Sequence, residues 1–304
     1  MSLQLTDAER QSLLMKWRSP AGKAESDRQD RAERMVKQAV RNHEPFAGLD
    51  LSVAAKGSYP NNTNVRGDSD VDIKVQVNDP YHADIDPSVF WWGGTRVTRY
   101  TGPWKPKVLR QEVFTALENY FGTVEANHNV AFFIPEVNGS RPSIDVVPCF
   151  RYLRFTDLTY NESIEGSIVY GRDGKEIVNW PDQQLQNGQA KNTRTSHRYK
   201  FAVRVLKSVE NELAAQRIIR PLPSYFSECL VYNVPDEVLT QGSLDDSIRG
   251  SLANLNEQLH FLFGRPADML EPNEVKKLFQ RGQKWTARDA TQLIRAAWHY
   301  LNYR

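Results

Sequence analysis

Two aspartates one residue apart, Asp70 and Asp72, open a run of residues typical of a β-strand, 70–77. Successive side chains of a strand point to opposite faces, so the two carboxylates share one face and the apolar side chains share the other. Like charges on one face repel each other, which favours a divalent cation between them, and carboxylate oxygens are the ligands that Mg²⁺ takes. The pattern therefore predicts a site for Mg²⁺, with Mn²⁺ as the alternative ion, rather than two solvated surface aspartates.

The pair Gly57-Ser58 ends the preceding strand, which is predicted over 49–56. Because glycine has no side chain, the backbone at Gly57 can approach a phosphate closely. Successive N–H groups in a turn also form a concavity that binds anions. The pair is therefore predicted to handle phosphate, although a turn that merely ends a strand has the same composition.

A third carboxylate, Asp145, lies between two apolar residues in another segment typical of a strand. The dipeptide Asn138-Gly139 is a strong signal for a tight hairpin turn. It joins predicted strands over 129–137 and 143–150, and a hairpin strand can bring Asp145 beside the first aspartates.

Three carboxylates can hold two metal ions, which activate an attacking hydroxyl and stabilise a leaving oxygen. Asp70, Asp72 and Asp145 are therefore predicted to be catalytic and to bind two ions in phosphoryl or nucleotidyl transfer. Taken alone, Asp145 is more simply explained as a surface aspartate, so the prediction rests on the combination.

The composition sets limits on partners. The 304 residues carry a net charge of +2, so a long nucleic acid is not a required partner. Cys149 and Cys229 have no metal-binding spacing and are predicted to be free thiols. No apolar run is long enough to span a membrane. We therefore expect a cytoplasmic monomer that does not enter a membrane.

The elements around these residues divide the chain into two parts. The predicted fold class is α/β (α+β), with a mixed sheet and N-terminal helices over 1–190 and a helical lobe over 191–304. Apolar residues recur every three or four positions in the second part, over 195–214, 224–234, 246–263 and 286–302. The cleft between the two parts is the expected ligand site.

The segment 78–107 shows no clear period, so an irregular insertion is expected there. Four basic residues lie in this segment and a fifth follows it: Arg96, Arg99, Lys105, Lys107 and Arg110. They fit a solvated loop better than a lid over the site.

Gly57-Ser58, Asp70-x-Asp72 and Asp145 together resemble the signature of the polymerase-β-like nucleotidyltransferases. The wider run over 57–72, GSYPNNTNVRGDSDVD, is similar to bacterial CD-NTases, relatives of cGAS that make cyclic oligonucleotide signals in anti-phage defence. Three later segments are similar to clade E of that family: IVNWP, NGQAKN and PSYFSECLVYN, at 177–181, 187–192 and 223–233. The resemblance implies a polymerase-β-like nucleotidyltransferase core followed by the helical lobe.

The resemblance also implies roles for individual residues in nucleotide binding. Gly57 and Ser58 would hold the donor triphosphate, with Lys200 as a further ligand and Lys207 as the second choice. Without the resemblance, the charged stripe of the helix over 195–214 is more simply a solvated face.

Two further residues near the start of the next helix have roles in relatives of this family. Ser224 would touch phosphate and Tyr225 would stack on the donor base. The alternatives are an ordinary helix cap for Ser224 and a partly buried core residue for Tyr225.

Asn179 is the candidate for base recognition, because an amide offers both a donor and an acceptor to a uracil edge. In clade E enzymes an Asn in a similar context is associated with the choice of uridine. A turn residue before Trp-Pro is the alternative for Asn179.

The expected function is Mg²⁺-dependent condensation of nucleoside triphosphates, UTP and ATP, into a cyclic dinucleotide with release of pyrophosphate. Cyclic UMP–AMP and cyclic di-UMP are the candidate products, and a separate effector protein would sense them. One alternative is a nucleotidyltransferase that modifies an RNA end, a protein or a small molecule. The other is a catalytically silent nucleotide-binding module.

Overall fold

The structure, a computed structural model, describes residues 5–20, 22–65, 70–86, 88–89, 102–260 and 262–304. The basic residues Arg96 and Arg99 lie outside the described residues, as do Asp68 and Ser69 of the aspartate motif. Within the described part, the chain folds as two compact units. The sheet unit is Gly22–Pro60 with Ser69–Asp182, and the helical unit is Met1–Ala21 with Asn61–Asp68 and Gln183–Arg304.

The helices are α1 (Asp7–Trp17), α2 (Lys23–Arg41), α3 (Pro106–Phe121), α4 (Pro181–Arg194), α5 (Arg198–Ala215), α6 (Ser224–Tyr232), α7 (Asp236–Thr240), α8 (Leu244–Gln258) and α9 (Ala287–Tyr300). The strands are β1 (Leu51–Ala55), β2 (Val71–Ile85), β3 (Phe132–Ile134), β4 (Ile144–Phe155), β5 (Ser163–Tyr170) and β6 (Glu176–Asn179). This mixed sheet, followed by a C-terminal helical part, confirms the predicted fold class.

The sheet unit is built on a sheet in the order β1-β2-β4-β5-β6, and β3 pairs with the first residues of β4. β2 and β4 run parallel, whereas the other neighbouring strands run antiparallel. Helices α2 and α3 pack against each other and against these strands. The parallel pair matters most for the site, because it sets β2 and β4 side by side in one direction.

The apolar row of β2 is buried as its alternation predicts. Val71, Ile73, Val75 and Val77 are fully buried, while Asp72 between them lies on the opposite face and is half-buried. The hairpin turn at Asn138-Gly139 is also confirmed, since β3 and β4 pair antiparallel across it and Gly139 has a φ of 75°.

Strand β2 is longer than the sequence predicts, because residues 78–85 continue the strand in place of an irregular insertion. The pairing of β2 with β4 shifts register between Val77 and His82. The extension therefore comes from pairing with β4, which no local pattern reveals.

The helical unit has its own apolar core around α5, which packs against α1, α6, α7, α8 and α9. Capping boxes start three of its helices, at Thr6, Ser243 and Thr286. Cys149 of the sheet unit and Cys229 of the helical unit are both buried free thiols, as predicted.

No helix among the described residues is long and apolar enough to span a bilayer.

Candidate active site

The structure places Asp72 and Asp145 directly beside each other. They are register partners on the parallel strands β2 and β4, so both side chains leave the same face of the sheet. The neighbours of Asp145 on β4, Ile144 and Val146, are fully buried on the other face. The alternation of apolar and acidic residues that the sequence shows therefore produces a paired carboxylate site.

Gly57 lies against the Asp72 carboxylate. Its φ is +76°, and a Cβ added there would stand 2.8 Å from Oδ2 of Asp72. The turn is fixed to the strand by the backbone bond that Lys56 N–H donates to the Asp72 carbonyl, at 2.9 Å. Glycine is therefore favoured at this position by its left-handed backbone, and a side chain there would also force the Asp72 carboxylate to shift.

The two paired carboxylates are in an unfavourable electrostatic environment. Burial is the main cause that raises the pKa of Asp72, and the charge of Asp70 adds to it while Lys56 opposes it. Burial also raises the pKa of Asp145, and the negative charges of Asp72 and Asp70 raise it further. His128 and Lys56 lower it. Sequence reasoning missed Lys56, although its position directly before Gly57 places it next to Asp72 across the β1–β2 pair.

Asp70 is exposed and turns toward the start of β4, where its carboxylate accepts a hydrogen bond from the hydroxyl of Ser143. The backbone joins the same two segments, because Val71 N–H donates to the Ser143 carbonyl at 3.0 Å. Ser143 is a second residue that the sequence did not indicate. Among the residues that the structure describes, no group of three His, Cys, Asp or Glu side chains is gathered closely enough to hold a metal ion.

The residues nevertheless fit a divalent cation. The paired carboxylates of Asp72 and Asp145 are the type of ligand that Mg²⁺ and Mn²⁺ take. Oδ1 of Asp145 is buried and accepts no hydrogen bond from any described residue. A buried carboxylate oxygen without a partner, beside two further negative charges, is stabilised by a cation.

The turn at Ser58 is held in the sheet unit by the residue that follows it. The hydroxyl of Tyr59 donates a hydrogen bond to the Asp30 carboxylate of α2, and burial raises the pKa of this hydroxyl to about 12. Ser58 is half-buried in the turn between Gly57 and Tyr59. The predicted phosphate-handling pair therefore stands on an anchored turn beside the paired carboxylates.

Asn179 is the last residue of β6, paired with Ser167 of β5. A Cβ at Gly166 would stand 2.6 Å from the Asn179 carbonyl oxygen and 2.7 Å from the ring of Trp180. Trp180 is buried, and the guanidinium of Arg154 lies 5.0 Å from its ring centroid. The backbone of Asn179 is thus fixed by close packing, and its side chain is half-buried.

In the helical unit, Lys200 lies in the first turn of α5. It is half-buried, and burial is the main cause that lowers the pKa of its ammonium. The charge of Glu228 raises that pKa, and the charge of Arg204 lowers it. Within the described ranges, no hydrogen bond or ion pair occupies its Nζ atom. The ammonium of Lys200 therefore makes no hydrogen bond or ion pair within the described ranges, and the charge of Glu228 acts on it only from a distance.

Lys207, the second choice for a phosphate ligand, has a different role. Its side chain is 2% exposed, and its Nζ lies 4.0 Å from Oε2 of Glu228 and 3.3 Å from the Thr63 hydroxyl. Arg204 on the same stripe is also 2% exposed. The interpretation of this stripe as a solvated face is therefore wrong, because two of its cations, Lys207 and Arg204, are themselves buried.

Ser224 is the first residue of α6 and is exposed, following Pro223 at the N-cap. Pro223 has no side-chain cap, so the helix begins without one. Tyr225 is half-buried, packs edge-on against Trp285 and donates a hydrogen bond from its hydroxyl to Glu271 at 3.2 Å. Burial raises the pKa of the Tyr225 hydroxyl well above its usual value.

The fold and the site define a class of protein. A mixed sheet that pairs carboxylates on neighbouring strands beside a glycine turn, in a chain that continues into a helical unit, is the architecture of a nucleotidyltransferase. The family profile of the cGAS/DncV-like nucleotidyltransferase C-terminal helical domain matches residues 186–302.

Curated relatives identify the family. The chain is 35% identical to the cyclic dipyrimidine nucleotide synthase CdnE of Legionella pneumophila, over 94% of this chain and 96% of the relative. It is 32% identical to the cyclic dipurine nucleotide synthase of Elizabethkingia meningoseptica, over 96% and 98%. The chain belongs to the CD-NTase family of nucleotidyltransferases.

A solved structure agrees with this assignment. The Elizabethkingia meningoseptica CdnE cyclic dinucleotide synthase, determined with GTP and Apcpp, superposes with a TM-score of 0.79 at 30% identity. The similarity covers 96% of this chain and 98% of that chain, so it includes both units.

Proposed function

We propose that this enzyme condenses two nucleoside triphosphates into a cyclic dinucleotide and releases pyrophosphate. The observation that carries the proposal is the side-by-side placement of Asp72 and Asp145 on parallel strands, with Gly57 against the first carboxylate. Relatives that are similar over nearly the full length are named as synthases of cyclic dipyrimidine and cyclic dipurine nucleotides, which supports the same reaction class.

The reaction requires a hydroxyl of one nucleotide to attack the α-phosphorus of another. Asp145 is proposed to accept the hydroxyl proton, because its oxygen is buried on the reacting face and its raised pKa suits a proton acceptor. Two Mg²⁺ ions held by Asp70, Asp72 and Asp145 would lower the pKa of the attacking hydroxyl and neutralise charge on the leaving pyrophosphate. The backbone at Gly57 and the Ser58 hydroxyl are proposed to hold the donor triphosphate.

Residues of the helical unit are also proposed to bind nucleotide. Lys200 supplies a half-buried cation, and Ser224 presents a hydroxyl at the start of α6. The ring of Tyr225 is proposed to stack on the donor base. Its hydroxyl bond to Glu271 would hold the ring in place, so Tyr225→Phe should impair nucleotide binding less than Tyr225→Ala.

The proposed function is tested by incubating the protein with labelled ATP, CTP, GTP and UTP and Mg²⁺, followed by mass spectrometry of phosphatase-resistant products. A cyclic dinucleotide is expected from the wild type, and Asp72→Asn should lower its yield by about 10³-fold or more, because metal and substrate lose a ligand. Asp79→Asn, at an exposed carboxylate on the same strand, is the matched control and should retain activity.

Other outcomes distinguish the alternatives. Product that appears only when an RNA, a protein or a small molecule is added would replace the proposal with transfer to that acceptor. Nucleotide binding without turnover in the presence of Mg²⁺ or Mn²⁺ would leave a silent binding module.

Uridine is the base that we propose for at least one position of the product, with Asn179 as the residue that reads it. The amide of Asn179 can pair with both a donor and an acceptor of uracil, and its fixed backbone would hold that amide in one place. Cyclic UMP–AMP and cyclic di-UMP are the proposed products, made for an effector protein in anti-phage signalling.

We expect Asn179→Ser to shift incorporation from UTP toward purine nucleotides. Ile177→Ser is the matched control, because it places the same residue on the same face of β6 two positions away. The ratio of uridine to purine in the product, measured by mass spectrometry, should change in the first variant and not in the second. An unchanged ratio in both would remove Asn179 from base selection.

A further inference from the structure

The helix that carries Lys200 begins in an unusual way. Helix α4 ends at Arg194 and α5 starts at Arg198. The connection between them contains two successive residues other than glycine with a left-handed backbone, Ser196 at a φ of 48° and His197 at a φ of 69°. This conformation is costly for such residues and persists only where the surrounding structure fixes it. The connection must therefore be held by specific contacts.

Backbone hydrogen bonds close the end of α4 onto this connection. The His197 N–H donates to the Asn192 carbonyl at 2.8 Å, and the Ser196 N–H donates to the Thr193 carbonyl at 3.2 Å. These two bonds form a Schellman motif, in which glycine usually takes the place that Ser196 holds. The motif sets the last turn of α4 beside the first turn of α5.

Groups at the end of α4 accept hydrogen bonds from the first turn of α5. The Arg198 N–H donates to the Thr195 carbonyl at 2.9 Å, and the Tyr199 N–H donates to the Thr195 hydroxyl at 3.1 Å. The Lys200 N–H donates to Oδ1 of Asn192 at 3.1 Å. The first three N–H groups of the helix therefore have partners, although these groups are often free to bind anions. A phosphate at this end of α5 would have to be bound by side chains.

Asn192 is the residue that fixes Lys200 to the end of α4. Its amide oxygen accepts the Lys200 N–H, and its amide nitrogen lies 3.0 Å from Nδ1 of His197, one of the two left-handed residues. Thr195 is fully buried, and its hydroxyl accepts a bond from α5 one position earlier, at Tyr199. Both ends of the Asn192 amide are therefore used to fix the start of α5 where the candidate phosphate ligand lies.

We propose that Asn192 is a positioning residue for nucleotide binding, which fixes the backbone of Lys200 so that the ammonium is held ready for the triphosphate. The inference rests on the proposed function, because it takes Lys200 as a ligand of the nucleotide phosphates. The stem of a lysine is flexible, and immobilising such a side chain costs binding free energy. Lys200 is half-buried on a backbone that is already fixed, so less freedom is left to lose when the nucleotide binds.

The competing explanation is that Asn192 only caps α5 and stabilises the fold, and two other substitutions separate the roles. Thr195→Val removes a different cap of the same helix start, at Tyr199, and keeps the size of the side chain. Thr193→Ala is the matched control, because the exposed hydroxyl of Thr193 bonds back within α4. A loss of nucleotide affinity confined to Asn192→Ala would act through Lys200, whereas a loss shared with Thr195→Val would come from the cap.

The experiment measures the dissociation constant of a non-hydrolysable ATP analogue with Mg²⁺ by calorimetry in the wild type, Asn192→Ala, Lys200→Met and the double variant. Lys200→Met is expected to weaken binding about 10-fold or more, because a hydrogen bond from a charged group is lost. Asn192→Ala should weaken it about 3- to 10-fold in the presence of the lysine. In its absence the same change should cost less than about 2-fold, because the group that Asn192 positions is gone.

Stability and activity are measured on the same proteins. Asn192→Ala and Thr195→Val should each lower the melting temperature by about 2–4 °C, since each removes one helix cap. Thr195→Val and Thr193→Ala should bind the analogue as the wild type does. Product formation from labelled nucleoside triphosphates and Mg²⁺ is followed by mass spectrometry in every variant.

The two ways of failing are distinct. A wild type that makes no product from nucleoside triphosphates alone overturns the proposed function and this inference with it. In an active enzyme, three results overturn the inference alone. They are unchanged binding of the analogue by Lys200→Met, an equal effect of Asn192→Ala with and without the lysine, and an equal loss of affinity in Thr195→Val.

Discussion

At the scale of single residues, Gly57 connects backbone conformation to the chemistry of the site. The residue has a positive φ, and the carboxylate of Asp72 occupies the volume where a side chain would begin. A positive φ alone is a moderate cost for alanine, whereas the contact with Asp72 is specific to this site. The two effects can be separated because Gly48 also has a positive φ, but a Cβ added there meets no atom within 4 Å.

We expect Gly57→Ala to lose activity and Gly48→Ala to keep it. Both variants should lose about 1 kcal/mol of unfolding free energy to the left-handed backbone, since their φ values are +76° and +78°. Only the first brings a methyl group to 2.8 Å from Asp72 Oδ2 and must displace the carboxylate. Urea unfolding and product yield measure the two effects, and equal activities would show that the carboxylate does not need the space.

The pKa values of two aspartates predict opposite effects of neutralisation. For Asp145 the pKa is raised in the folded state, so the native protein binds a proton more readily than the unfolded chain. The free energy of unfolding then falls as the pH rises from the ordinary pKa of aspartate through the pKa of Asp145 in the folded protein. The whole loss of stability remains at higher pH. For Asp289 the pKa is lowered to about 2 by the Arg220 side chain and the Thr286 cap, so its stabilisation is present above the ordinary pKa.

Asp145→Asn is therefore expected to stabilise the protein at pH 7.5 in EDTA, by about 2 °C in melting temperature, while it abolishes activity. Asp289→Asn should destabilise it under the same conditions. Both differences should shrink as the pH falls: the first should be gone once the pH is below about 4, and the second should be lost as the pH falls from there toward 2. A loss of melting temperature in Asp145→Asn at pH 7.5 would contradict the unfavourable electrostatics assigned to the site.

At the scale of elements, a buried polar cluster joins α4, α5, α6 and the loop over 61–65 within the helical unit. Glu228 of α6 accepts hydrogen bonds from the Thr63 hydroxyl at 2.9 Å, from the Gln184 amide at 3.0 Å and from the Asn61 amide at 3.3 Å. Lys207 of α5 is its buried cation. Five side chains from four segments share one ion pair, so removing one charge leaves the other without compensation.

We expect Lys207→Met or Glu228→Gln alone to cost about 3–5 kcal/mol of unfolding free energy. The double variant should cost less than the sum of the two, because it leaves no unpaired buried charge. Urea unfolding of all four proteins completes the double-mutant cycle. Additive losses would mean that the two side chains, 4.0 Å apart, do not depend on each other.

At the scale of the whole molecule, the sequence was most informative where structure follows from local alternation. The period of two residues in β2 and β4 placed Asp72 and Asp145 on the polar face, and Asn138-Gly139 gave the hairpin between β3 and β4. The recurrence of apolar residues every three or four positions predicted the helices of the C-terminal part equally well. Each of these predictions needs only neighbouring residues, and the structure confirms them.

The features that the sequence did not predict depend on residues that are distant along the chain. Lys207 appeared to be a solvated cation because its partners on α6 and at Thr63 are not its neighbours in sequence. Residues 78–85 appeared irregular because the pairing with β4 is visible only in the folded sheet.

Gly166 has a consequence for how the product of this enzyme could change over generations. The residue leaves no room for a side chain beneath Asn179 and Trp180, so mutation at 166 disturbs the backbone that carries the proposed base reader. Mutation at 179 changes only a side chain on a backbone that stays in place. A lineage could therefore replace the nucleotide that it incorporates in a single step at 179, while selection for a folded sheet keeps 166 as glycine.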